Sequence, residues 1–128
     1  MKPGVLGQKT HKNLDVWNRA MDLAAEVYSI TSQFPKEELF GLVSQTRRAA
    51  VSVPSNIAEG AARGSRKQYI QFLYVALGSV AELETQLLLA IRLKLFTGAE
   101  VLDRVEQVRQ LLLGLLRYLK RNSLAHHG

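Results

Sequence analysis

The sequence predicts an all-α protein, an antiparallel up-down four-helix bundle with a proline kink in its second helix. Three observations predict it: apolar residues recur at helical spacing through four long segments, no alternating strand pattern competes, and the links between segments are short. At 128 residues the chain has the size of one domain and can bury a core. The bundle is expected over residues 14–121, with flexible segments at 1–13 and 122–128.

The first helix, about 15–34, places Trp17, Met21, Ala24, Tyr28 and Thr31 on one stripe, with Leu23, Val27, Ile30 and Phe34 beside it, and Pro35 ends it. The second begins near Glu37 or Gly41 and runs to about Ala62. Val43, Arg47, Ala50, Pro54 and Ile57 mark one side of it, and Arg48, Ser52, Ser55 and Glu59 a polar one. Pro54 has no N–H for the carbonyl of Ala50 and its ring crowds that carbonyl, at a cost of about 3 kcal/mol inside a helix. Ser52, Ser55 and Asn56 surround it with short polar groups that can bond the freed carbonyl. The stretch reads as a kinked core helix, or as a polar pocket or interface edged by Glu59 and the Arg47–Arg48 pair.

Ser65 with Gln68 is a capping-box signature for the third helix, about 66–94. Its core stripe is Ile70, Leu73, Leu77, Val80, Leu87 and Ile91, and Glu84 falls on that same stripe. A buried carboxylate needs a partner, and antiparallel pairing about the 63–64 turn brings the second helix near it. An ion pair of Glu84 with Arg47 or Arg48 is therefore expected. Thr97 with Glu100 repeats the capping signature for the fourth helix, which runs to about Arg121. Its apolar residues, Val105, Val108, Leu111, Leu112, Leu113 and Leu116, spread over an arc of roughly 200°, more than the ~100° a single core uses. The surplus predicts a second buried surface between subunits.

Signals of chemistry are sparse. There is no cysteine, which removes disulfides, thiolate metal sites and cysteine nucleophiles. The three histidines, His11, His126 and His127, fall outside the expected helices, and neither of the Glu-x-x-His motifs of a di-iron bundle is present. The turn Gly60 to Ser65 has two glycines before a helix start but lacks the Gly-Lys-Ser/Thr ending of a P-loop. No catalytic, cofactor or metal site is read, and the expectation is a protein that is not an enzyme. Residues 1–13 contain no apolar run of signal-peptide length, and the richest apolar run, 72–81, is far short of the ~18 residues of a membrane span. A cytoplasmic protein without membrane contact is expected.

Charge is the better lead. A net +6 and a pI near 9.9 favour polyanionic partners. Arg63, Arg66 and Lys67 cluster at the second-to-third turn, and Arg117, Lys120 and Arg121 cluster at the end of the fourth helix. An up-down bundle puts both clusters at one end, where they would favour phosphate backbones, RNA or DNA, without base specificity. The terminal cluster also complements its own helix dipole. Tyr69 and Tyr74 are candidates either for stacking on bases or for the core. The alternative reading is a scaffold for a protein partner, with Arg48, Ser52, Ser55, Asn56 and Glu59 as interface or docking groove.

Taken together, DVWNRAMDLAAEVYSIT, FPKEELFGLVSQTRRAAVSVPSNIAEGAARGS and YIQFLYVALGSVAELETQL resemble the four-helix-bundle family first met as reading frames in intervening sequences of bacterial large-subunit ribosomal RNA genes. The resemblance spans about residues 14–119. It implies an up-down bundle that assembles as a ring, with a pentamer the known arrangement, and no enzymatic activity. The chain is also distantly similar to the accessory proteins of diversity-generating retroelements, basic bundle pentamers that bind a reverse transcriptase and nucleic acid.

Overall fold

A computed structural model describes residue 11 and residues 14–127, with side chains through Arg121. Four helices account for nearly all of it: α1 (Asp15–Thr31), α2 (Ser44–Ala62), α3 (Arg66–Arg92) and α4 (Glu100–His127). No strand occurs among the described residues. The cross-helix bonds fix the directions. Ser52 of α2 meets Ser79 of α3, while Gly60 lies against Tyr69 and Phe72. Glu84 and Tyr74 of α3 meet Arg109 and Lys120 of α4. Arg19 and Glu26 of α1 meet Gln107 and Arg104 of α4. In every pair one residue number rises as the other falls, so neighbouring helices run antiparallel and α4 closes the bundle against α1.

The core is aliphatic. Leu23, Val27, Val53, Ile57, Leu73, Val80, Leu83, Leu87, Val105, Val108 and Leu112 are all essentially inaccessible. By length and composition α3 could cross a membrane, yet it supplies Leu73, Val80, Leu83 and Leu87 to this core.

The helix ends differ from expectation where local bonding overrides periodicity. α1 stops at Thr31, whose hydroxyl turns back onto the carbonyl of Val27 at 2.7 Å. A 3₁₀ turn, Lys36–Glu38, and a π-helical turn, Leu39–Val43, then lead into α2. α3 ends in a Schellman motif with Lys94 left-handed at φ 62°: Leu95 N donates to Ala90 O and Lys94 N to Ile91 O. Ser65 caps α3 as expected, accepting from Gln68 N at 3.3 Å. Thr97 does not cap α4, because the first helical bond runs from Asp103 N to Ala99 O and puts Ala99 at that position. α4 continues past the expected end at Arg121 to His127.

α2 stays continuous across Pro54. The expected polar compensation forms one step along: Asn56 Nδ2 donates to Ser52 O at 2.8 Å and to Ser52 Oγ at 2.9 Å, so it serves the carbonyl of Ser52 and not that of Ala50. The departure from α-helical bonding in this part of the chain lies at the π turn before α2.

Candidate functional site

The α2–α3 turn and the end of α4 do share one end of the bundle. Gly64, at φ 73°, lets the chain reverse within residues 63–65, and the antiparallel register sets the last turns of α4 beside the first turns of α3. Lys120 hydrogen-bonds the hydroxyl of Tyr74, and its ammonium lies 5.1 Å from the centre of that ring. Arg63 is tied down, with Nη2 donating to Glu59 Oε2 at 2.8 Å and the guanidinium 4.9 Å from the centre of Phe72. Arg66, Lys67, Arg117 and Arg121 have no acidic partner among the described residues. Of the six cations at this end only Arg63 has an ion-pair partner among the described residues, Glu59, while Asp15 at the start of α1 lies at the same end and pairs with Arg19. Tyr69 is half-buried and packed against the core, where desolvation pushes its phenol up, whereas Tyr74 is exposed.

Arg47 and Arg48 do not pair with Glu84. Arg47 projects toward α1, where Nε donates to Thr31 Oγ1 at 2.8 Å and Nη2 to Tyr28 O at 3.3 Å, with the guanidinium over the Tyr28 ring at 4.5 Å. Arg48 is exposed with no ion-pair partner among the described residues. Glu84 faces α4 and accepts from Arg109 Nη2 at 2.6 Å. The phase of the α3 stripe decides this, since Glu84 sits on the side turned to α4 and α2 packs on another. Arg109 also holds Glu106, whose carboxyl is kept below the usual range first by the Gln110 amide and then by Arg109. Arg109 was not legible as a partner because only the closed bundle shows which helix Glu84 faces. The link between α3 and α4 was the available signal, placing Arg109 about as far beyond it as Glu84 lies before it.

The expected polar stripe divides. Ser52 bonds Ser79 Oγ at 2.8 Å and joins Asn56 in a small network between α2 and α3. Buried Gln86 on α3 keeps an Oε1 with no hydrogen-bond partner among the described residues. Ser55 and Pro54 instead face α1. There, with Trp17, Met21, Tyr28 and Val51, they line an apolar groove of about 460 Å³. Trp17, Met21 and Tyr28 belong to the first of the two adjacent stripes expected on this helix. Ala24 and Thr31 of that stripe are buried with Val16, Ala20, Leu23 and Val27, Trp17 is partly covered, and Met21 and Tyr28 stand outward. A second hollow of about 440 Å³ continues from Tyr28 to Phe40, Arg47 and Arg48. His11 stands edge-on to Trp17 at 5.0 Å at the far end of the groove. Side chains of His126 and His127 lie outside those described. Among the described residues no three His, Cys, Asp or Glu side chains gather as a metal site would need.

Fold and charge together define an all-helical bundle with a cationic end and an open apolar groove between α1 and α2. The chain belongs to the 23S rRNA-intervening sequence protein family, whose model matches residues 12–114. Its fold is similar to the 1.70 Å crystal structure of a protein of unknown function from the S23 ribosomal protein family of Bacteroides thetaiotaomicron VPI-5482. That likeness has a TM-score of 0.73 at 24% identity and covers 80% of this chain and 95% of the other. At that identity it speaks to the fold. No curated protein matches the chain.

Proposed function

We propose that this chain is a non-enzymatic cytoplasmic bundle that binds nucleic acid, free or in a ribonucleoprotein, through its basic end. The observation that carries the reading is the gathering of Arg63, Arg66, Lys67, Arg117, Lys120 and Arg121 at one end, with only Arg63 in an ion pair among the described residues. Four of these cations have no acidic partner among the described residues, and Lys120 rests on a neutral tyrosine, so phosphates meet charge that no internal ion pair has to release. The N-terminus of α3 adds its exposed N–H groups to the same end. Such a surface reads backbone charge and not sequence. The names of the family and of the solved relative both refer to the ribosome, a setting rich in phosphate backbone.

The test is a titration against a labelled RNA hairpin and a DNA duplex at several salt concentrations. With four cations engaged, the logarithm of the duplex affinity should fall with a slope of roughly −3 to −4 against the logarithm of salt. Reversing Arg66, Lys67, Arg117 and Arg121 to glutamate should abolish binding with the helical signal intact. No binding at low salt by a folded protein refutes the reading.

A second reading is a self-assembled scaffold, a homo-oligomer of the kind whose known form is a pentamer. The apolar α1–α2 face favours it. Met21, Tyr28, Leu39, Phe40 and Val51 are each more than two-fifths exposed there.

A further inference from the structure

Phe40 is the most exposed large apolar residue described, at 92% accessibility. It stands in the π turn that leads into α2, a backbone form that recurs at functional sites. Nothing in its own chain receives it. The groove that would accept a phenyl ring lies further down the same face, between Trp17 and Met21 of α1 and Val51 and Ser55 of α2. Its volume of about 460 Å³ exceeds what one phenylalanine fills. A helix rises 1.5 Å per residue, so position 40 stands roughly 20 Å along the axis from Ser55 and cannot fold back into the groove of its own chain.

We propose that Phe40 of one copy seats in the α1–α2 groove of a second copy. This rests on the self-assembly reading and names its contact. Knob and groove occur on one chain, which makes a second copy the occupant that carries both halves of the complement. The area suffices. At roughly 150–220 Å² for a whole side chain of these types, the exposed parts of Met21, Tyr28, Leu39, Phe40 and Val51 amount to roughly 500 Å² per copy. Seated reciprocally, with each copy giving both knob and groove, two copies cover about 1,000 Å², the threshold for a specific interface. The reciprocal seating makes a two-fold pair.

Phe40→Ala removes the knob without touching the core, so the helical signal should be unchanged while self-association weakens at least ~30-fold, the effect of truncating a buried aromatic anchor. Solution mass over a range of concentrations reads this. In the otherwise wild-type chain, Phe40 is also replaced by p-benzoylphenylalanine and irradiated. The expected product has the mass of two chains and joins residue 40 to the segment holding Met21 or to the segment holding Val51. If Phe40→Ala assembles as well as the wild type and no two-chain product reaches the groove, this contact is overturned while self-assembly stands. A wild-type mass of one chain at every concentration overturns both.

Discussion

Gly60→Ala is expected to destabilise the protein although alanine is the better helix former. Gly60 is buried where α2 crosses α3, and a Cβ built there would lie 2.8 Å from Phe72 Cβ, 3.1 Å from Tyr69 Cδ1 and 3.3 Å from the Tyr69 carbonyl oxygen. Carbon atoms prefer about 3.5–4 Å. Phe72 Cβ is fixed to its backbone, so no rotamer change relieves the closest contact and α3 itself must retreat by roughly 1 Å. Overpacking of this kind costs about 1–3 kcal/mol, against a gain of about 1 kcal/mol for replacing a helical glycine. The net expectation is a loss of up to about 2 kcal/mol, centred on about 1 kcal/mol or ~4 °C in Tm. Gly78→Ala is the control. It lies within α3 with nothing inside 4 Å of its Cβ position, so the propensity gain stands alone and the protein should gain about 1 kcal/mol. Urea unfolding followed by the helical circular dichroism signal measures both, at one protein concentration so that assembly contributes equally. Gly60→Ala stabilising the chain as Gly78→Ala does would refute the close packing of α2 on α3.

Lys94→Gly should stabilise by about 1 kcal/mol, since Lys94 is a non-glycine residue held left-handed at φ 62° with both Schellman bonds already made; an unchanged Tm would mean the turn is unstrained. The Glu106 carboxyl is held below its usual range by Gln110 and Arg109, so the unfolded chain takes up the proton first as pH falls. Its contribution is fully present above the unfolded carboxylate pKa of about 4.3 and is lost as pH drops through the lower folded value. Glu106→Gln should therefore flatten the acid limb of a stability–pH curve, and an acid limb as steep as the wild type's would count against the clamp.

Much of the architecture could be read in advance because it depends on period and punctuation. Pro35, the Ser65–Gln68 cap and the turn at Gly64 set the links, and antiparallel order then puts Arg63 and Lys120 at one end. What could not be read was phase. Helical spacing in α1 yields two adjacent apolar stripes, and the choice of Val16, Ala20, Leu23 and Val27 for the core, with Met21 and Tyr28 outside, follows from where α2 and α4 pack. The same uncertainty sent Arg47 toward the wrong partner, since its true acceptors, Thr31 Oγ1 and Tyr28 O, lie on the side of α2 that faces α1. The fourth helix's wide arc did point to surplus apolar surface. Yet Leu111 and Leu113 are partly covered, and the exposed large apolar residues fall mainly on the α1–α2 face and along α3.

The π turn at Leu39–Val43 governs how that face is presented. In an α-helix position 40, three residues before buried Val43, would share its side and press toward the core. Widening the bonding to i→i+5 turns position 40 off that side while Val43 keeps its place. The segment works like a vernier: backbone register, and no side-chain contact, sets the direction of Phe40, and the interior beneath is left undisturbed.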